Sequence, residues 1–576
     1  MSPPPAAAIS VRTTLDLLDN SFQAFAQGMA EGRYAFWLGS GISLGVVPGL
    51  WGVIAKVIEF IRVHIDPADP ACKFNRAMNE VLRLAGLNAA QCAALDLNVA
   101  FDMWPQEKRD AIVGTLVTNY ARLLAIRVGT EPFDYLLWDA VNVCETYGGG
   151  ALRPDVEHLC LAALSLEGVA TEMVSANWDP LVERAVASLT DGNAALAPTV
   201  VARPNDVQLP RGRTRLIKFH GCAVKAAANE AEYREWLVAR HAQVNGWCGK
   251  AGNQPLVTAL LALITQKPTF MLGLSAQDGN IQHVFQTAAE QSPWNLAAAP
   301  PGFVFSEDEL GLDQQSLLEN VYGAQVNPAN FQAVCEAARI QAYAKPLLTA
   351  LLLDVLARKL AALISMMPGP FPAAERQPLV DGVTRLRNDL GTAAQTSVAF
   401  VGGLLQTCAR SSQLLRAGQV TQPNLKYMPI SQDAIPGMAG NPDLDTSGLR
   451  EAAITLGLLG AGVARGDWTV EAEPVTTGSG VLAVISNLPG TAKTKVYVTA
   501  NAFNAALLVA CGELDESEAP ILIQAKELAL PMPRSPLGSF GRTGAPLTRE
   551  VSIGPLLNGC TTFDQLYTNF RQELAI

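Results

Sequence analysis

Tyr34-Ala35-Phe36-Trp37-Leu38-Gly39-Ser40-Gly41-Ile42-Ser43-Leu44-Gly45 is the stretch on which the fold turns. An unbroken apolar run that gives way to alternating glycine and serine reads as a buried strand ending in a turn with little side-chain bulk. Pro48-Gly49-Leu50-Trp51 follows, and helical spacing continues to Arg62, so the order is strand, glycine turn, helix. Small residues at such a turn let backbone N–H groups approach a pyrophosphate, and the helix amino terminus adds a partial positive charge. The usual dinucleotide fingerprint GxGxxG is not kept: Leu44 stands where the third glycine would fall, with Gly45 one place later. The same residues also suit a plain strand-to-helix turn.

Working outward, four more apolar runs lead into polar or glycine-containing turns: Val169–Ser175, Arg215–Phe219, Thr269–Leu272 and Gly302–Phe305. Between them lie segments with helical spacing, among them Trp51–Arg62, Asp110–Arg127 and Pro255–Thr265. This alternation predicts an α/β fold, a doubly wound, Rossmann-like parallel sheet with a helical insertion around residues 66–130.

Three of these strand ends carry chemistry-bearing residues. Ser175-Ala176-Asn177-Trp178-Asp179 offers an amide and a carboxylate two residues apart, able to face one crevice; Asp179 also suits an Asx turn that caps the helix starting near Pro180. Lys218-Phe219-His220-Gly221 ends a strand on an imidazole, which can meet a ligand in that crevice or be a satisfied core residue. In Gly273-Leu274-Ser275-Ala276-Gln277-Asp278 the glycine permits close backbone approach and Ser275 can donate to a phosphate or ribose oxygen, or the segment is an ordinary turn.

In this order, GxGxS, SxNxD, KxHG and GxSxxD resemble the SIR2 (sirtuin-like) superfamily over roughly residues 30–365, and Pro48-Gly49-Leu50-Trp51 looks like its prokaryotic defence members. The resemblance implies that Gly39, Ser40, Gly41 and Ser43 form the phosphate-binding loop and that Asn177 and Asp179 face the nicotinamide end of NAD. It makes His220 the catalytic histidine beside the nicotinamide ribose, counts Asn177 with it as catalytic, and places Gly273 and Ser275 on the adenosine side. Asp278 falls where defence members also carry an acid. Protein deacetylases of the superfamily hold a four-cysteine zinc module between the histidine motif and the later GxS motif; here that interval contains only Cys222 and Cys248, so a tetrathiolate site cannot form in it and no zinc is expected.

The 576 residues exceed one ordinary core, and 49% apolar against 16% charged composition suits large buried cores. Met1–Ser10 is expected to be a flexible tail of an unexported, cytoplasmic protein, followed by a first helix to residue 30. Residues 31–367 form the expected catalytic domain; Pro368, Pro370 and Pro372 mark its end. Leu347–Met367 is apolar but interrupted by Asp354, Arg358 and Lys359, which excludes a membrane span. Residues 373–576 are read as a regulatory or partner-binding region, helical over 373–418 and mixed α+β over 443–576, with strands at Trp468–Val475, Gly480–Ser486, Lys495–Thr499 and Ile521–Gln524. Gly490–Lys495 lacks GxxxxGK spacing and reads as a turn. The net charge of −11 draws the chain to neither nucleic acid nor anionic lipid.

No histidine follows His283, which confines imidazole chemistry to the first half. The function implied is an NAD+ glycohydrolase of a SIR2-like antiphage defence system, releasing nicotinamide and ADP-ribose when triggered. An NAD-dependent protein deacylase and a non-catalytic NAD or ADP-ribose sensor stand as alternatives. Relatives of this architecture pair with HerA-like ATPases or short Argonaute proteins or sense phage components, and the apolar helices point to a homo-oligomer.

Overall fold

The computed structural model describes residues 5–69, 71–420, 426–472, 481–487, 493–525 and 548–575. Its amino-terminal part is built on seven strands: β1 (Ala35–Leu38), β2 (Glu172–Ser175), β3 (Thr199–Val201), β4 (Arg215–Lys218), β5 (Thr269–Leu272), β6 (Phe303–Ser306) and β7 (Arg339–Ile340). They lie in the order β3-β4-β2-β1-β5-β6-β7, and every pairing is parallel. The chain builds outward from β1 on one side, then returns to place β5 on the other, so the topological switch falls between β1 and β5.

Strand alternation explains the continuous apolar runs. Phe36 and Leu38 join one buried cluster with Met173, Phe270 and Leu272, while Ala35 and Trp37 join a second with Val174, Ile217 and Met271. Helices cover both faces, so both rows of side chains must be apolar. β3 and β7 escape a reading based on such runs because they are three and two residues long.

The helical insertion has a core of its own, centred on Ile54, Val57, Ile58, Met78, Val113 and Leu116. The single helix predicted over Asp110–Arg127 is instead two, Gln106–Val117 and Tyr120–Leu123. At the break, Thr118 donates its hydroxyl and Asn119 its amide to the Thr115 carbonyl, satisfying with side chains what the next turn would have taken. The expected tail is docked in its described part: Ala6 and Ile9 are buried, and the Ala6 N–H donates to Asp308 at 2.8 Å.

Helix Ala344–Ser365 joins the two halves of the molecule. Its first half packs in the core of the first sheet through Leu347, Leu348 and Leu351; its second half packs Ala357, Leu363 and Ile364 into the carboxyl-terminal core. The charges that interrupt it are pins. Buried Asp354 accepts from Arg358 at 2.6 Å and Arg387 at 2.7 Å. Lys359, fully buried, donates to a Glu167 carboxylate oxygen and to the Glu167 and Ser431 carbonyls. Glu167 also accepts from the Tyr427 hydroxyl and the Ile430 N–H, which straps segment 427–431 across the first domain. All three lysine donors are used, the condition under which a buried cation is tolerated. Among the described residues no helix is long and apolar enough to cross a membrane.

Beyond the prolines come helices Gln377–Ala393 and Val398–Ala417, and then a second sheet of five strands: β8 (Trp468–Ala472), β9 (Leu482–Ser486), β10 (Thr494–Thr499), β11 (Ile521–Gln524) and β12 (Arg549–Ser552). β8, β9 and β10 pair antiparallel; β10, β11 and β12 pair parallel, with helix Ala502–Ala510 between β10 and β11. Residues 473–475 and 480 of the predicted strands, and Gly490–Ala492 of the predicted turn, lie outside the described residues.

Candidate active site

Four neighbouring strands, β4, β2, β1 and β5, end in the four motifs, so all of them reach the same edge of the sheet beside the switch point. The turn after β1 is a single turn of 3-10 helix, Ser40–Ser43. It lies directly against the loop after β5: the Gly39 N–H donates to the Leu272 carbonyl at 2.9 Å and the Gly41 N–H to the Gly273 carbonyl at 3.0 Å. A Cβ on Gly39 would stand 2.2 Å from the Gly273 oxygen, and one on Gly41 2.5 Å from the Gly273 Cα. Gly273 has φ +58°, and its own Cβ would meet the Gly41 Cα at 2.7 Å. The three glycines therefore bring two loop backbones into contact. Ala276, in the same loop, also holds a positive φ, +58°, a strained value for a residue with a side chain.

Asn177 is fastened to the β1 turn, its amide nitrogen donating to the Gly39 carbonyl at 3.0 Å and more weakly to Ser43 Oγ at 3.4 Å. With the nitrogen so occupied, the amide oxygen is the end left for a ligand. Asp179 is buried and uses both oxygens: Oδ1 accepts from the Leu181 N–H at the start of helix Leu181–Thr190, and Oδ2 accepts from the Ser43 hydroxyl at 3.1 Å. It is both a helix cap and part of the cluster.

Two further residues complete this arrangement. His158, fully buried on helix Val156–Leu166, has Nε2 3.2 Å from Ser43 Oγ, and its Nδ1 accepts from the Asp155 N–H. Burial pushes its pKa down to about 4, so the ring is neutral at pH 7. A backbone N–H can only donate; Nδ1 thus carries no proton, Nε2 donates to Ser43, and Ser43 in turn donates to Asp179. The signal for His158 was the spacing Asp155-x-x-His158, a capping box at the helix start. Lys218, 1% exposed, directs its ammonium to the Asp179 carbonyl, to Glu183 at 2.8 Å and to Cys222 Sγ at 3.8 Å. It ties β4 to the Asn177–Asp179 loop, and its place in the KxHG motif was the available clue.

His220 stands in the turn two residues beyond β4 with Nε2 2.9 Å from Asp278 Oδ2. The contact lies off the axis of the ring N–H, an ion-pair approach more than a straight hydrogen bond, and neither atom has another partner. Asp278 also caps helix Gly279–Gln291, its Oδ1 accepting from the Asn280 N–H at 2.8 Å and amide at 2.9 Å. Burial works to raise the Asp278 pKa, but the His220 ring and the Asn280 donors outweigh it and hold the carboxyl below the usual range. Trp178 closes the circuit by donating Nε1–H to the His220 carbonyl at 2.9 Å. From the helical insertion, Tyr120 lies close enough to Asp278 for that charge to add to burial in raising its phenol pKa. Ser40 and Ser275 are exposed at the loop tips. Cys248 donates to the Asn280 carbonyl at 3.7 Å and Cys222 lies against Lys218, so the two thiols of the interval belong to different local clusters.

Fold and site together define a doubly wound α/β protein with a cluster of polar side chains at its switch point, the position where such sheets bind nucleotides. Residues 171–326 match the family model described as SIR2-like domain, a span running from β2 past β6 that includes Asn177, Asp179, His220, Gly273, Ser275 and Asp278. The chain thus carries a SIR2-like domain, and the match supports a place in the SIR2 superfamily, whose SIR2-like domains are NAD-dependent enzymes, and an NAD-related function. No curated protein matches the chain.

Proposed function

We propose that the chain is an NAD+ glycohydrolase that breaks the nicotinamide–ribose bond and, when triggered during phage infection, depletes NAD in a cytoplasmic antiphage defence. The observation that carries this reading is the His220–Asp278 pair, 2.9 Å apart at the edge of the sheet where Asn177 is fastened to the turn after β1. Asp278 beside Nε2 sets which way the imidazole faces and leaves Nδ1 for a ligand, an orientation that suits a general base. Departure of neutral nicotinamide leaves positive charge on the ribose, and water adds to that carbon with loss of a proton, giving ADP-ribose. In this scheme His220 holds a ribose hydroxyl or the water and takes the proton, while the Asn177 amide oxygen orients the attacking water or the ribose. Asp179 acts through Ser43, since both its oxygens are already engaged. Ser40, exposed on the turn after β1, bears on the pyrophosphate, while Gly39, Gly41 and Ser43, whose donors are already spent, shape that turn; Gly273 and Ser275 bear on the adenosine half.

The test is nicotinamide release from NAD by the full chain in extracts of phage-challenged cells, with Asn177→Ala and His220→Ala alongside. Each substitution lowers turnover by about a hundredfold or more while the protein still melts cooperatively. Turnover surviving both substitutions removes the reading; release that requires an added acylated peptide makes the chain a deacylase; saturable NAD binding with no turnover under challenge makes it a sensor.

A further inference from the structure

The strands that carry the candidate site at their carboxyl ends border a recess at their amino-terminal ends. A cleft of about 460 Å³ lies there between the sheet and segment 432–437 of the carboxyl-terminal half, with Thr171, Glu172, Arg211, Arg213 and Lys267 on the sheet side. The volume falls within the roughly 300–1,000 Å³ typical of small-molecule sites.

Its charges are unequally matched. Glu31 has Arg33 at 2.6 Å, buried Glu172 has both Arg211 and Arg215, and Asp433 has Arg213 at 3.4 Å. Among the described residues Lys267 has no carboxylate: its ammonium donates to the Gly32 carbonyl at 3.1 Å, and two of its three hydrogens have no partner there. Burial, helped by the fields of Arg211 and Arg215, pushes the Lys267 pKa down, the response of a half-buried cation among cations. Arg211 engages Glu172 through Nη2, and Arg213 engages the Gln432 carbonyl and Asp433 through Nη1, so each guanidinium has donors in reserve.

We propose that this cleft binds the phosphate group of a small phosphorylated ligand, held by Lys267, Arg211 and Arg213 between the sheet and segment 432–437. A lone carboxylate is satisfied by one guanidinium fork, whereas three cations approaching from two loops match the several oxygens of a phosphate or pyrophosphate. Since Arg213 already touches the Gln432 carbonyl, an occupant ties the carboxyl-terminal segment to the strands whose far ends carry His220 and Asn177. The inference does not rest on the glycohydrolase reading, because no residue of the crevice takes part.

The test titrates the full-length protein with sodium pyrophosphate at constant ionic strength, by calorimetry, in the wild type, Lys267→Gln, Arg213→Gln and Asn177→Ala. Saturable binding that weakens tenfold or more in Lys267→Gln and in Arg213→Gln, and persists in Asn177→Ala, is the expected result. Arg213 is exposed, so its variant carries the test should Lys267→Gln melt early. Absence of saturable binding, binding unmoved by both cleft substitutions, or binding abolished in Asn177→Ala overturns the proposal. Repeating the titration with ADP-ribose in Asn177→Ala and in Asn177→Ala with Lys267→Gln identifies the source: binding tighter than pyrophosphate that Lys267→Gln weakens assigns the phosphate to a nucleotide, and binding that is no tighter, or that Lys267→Gln leaves unmoved, assigns it to the free anion.

Discussion

The two sheets of this protein share a device and differ in what it supports. Each has a left-handed glycine wedged at the carboxyl ends of parallel strands: Gly273, φ +58°, against Gly41 in the first, and Gly448, φ +73°, against Ala500 in the second. In the first sheet the neighbouring strand ends carry Asn177, Asp179, His220 and Asp278, held by hydrogen bonds and one close imidazole–carboxylate contact. In the second they carry Thr499, Gln524 and Ser552, none of them an acid or an imidazole. The α/β layout thus supplies a place for a site twice, and side-chain chemistry fills it with acid–base groups once.

The sharpest way to break that comparison is to substitute both glycines. Gly273→Ala and Gly448→Ala each force a methyl group within 2.7 Å of backbone, and each should lose about 2–4 kcal/mol in denaturant unfolding. Only Gly273→Ala should also abolish NAD binding by titration; equal loss of binding in Gly448→Ala would mean that the second sheet belongs to the site. Next in size is Lys218→Met, which leaves Glu183 and the Asp179 carbonyl without their buried cation and should cost about 3 kcal/mol. Adding Glu183→Gln should recover part of that loss, and strict additivity of the two changes would deny their partnership.

The smallest effect is a pH dependence confined to the first half. His158 falls from an ordinary 6.5 to about 4, so the unfolded chain protonates first and stability is lost as pH drops from 6.5 to 4. Adjacent Glu157, also buried, rises from 4.5 to about 7, so the folded chain keeps its proton and stability is lost as pH climbs from 4.5 to 7. The two slopes oppose each other. Glu157→Gln should therefore expose the histidine, with stability rising by about 2 kcal/mol between pH 4.5 and 6.5 relative to wild type. Urea unfolding at those two pH values decides it: parallel behaviour of variant and wild type rejects the assignment.

Much of the first sheet was legible because a strand buried on both faces has no polar position to interrupt it, as Phe36, Trp37 and Leu38 illustrate. The four motifs stood out because each follows such a run directly. Lys218 and His158 were harder to see as part of the cluster, for different reasons. A lysine is expected at the surface, and only the three acceptors around it make burial tolerable. His158 belongs to a helix beneath the crevice, 115 positions from the Ser43 it touches. Asp179 showed its capping role locally, while its hold on Ser43 required the fold. Four of the five carboxyl-terminal strands were visible as β-branched runs, but β12, the mixed pairing and the sharing of helix Ala344–Ser365 between two cores were not.

By itself, the amino-acid sequence determined the strand, glycine-turn and helix order and the residue types at each strand end, because apolar periodicity and turn chemistry act over a few neighbouring residues. Tertiary structure alone decided that His220 meets Asp278, that the Asn177 amide nitrogen faces inward, and that Lys267 lies without a carboxylate in a cleft shared with segment 432–437. Hydrogen-bond direction, ion pairing and desolvation depend on distances across space between groups far apart along the chain, and those distances exist only once the sheets and their covering helices have packed.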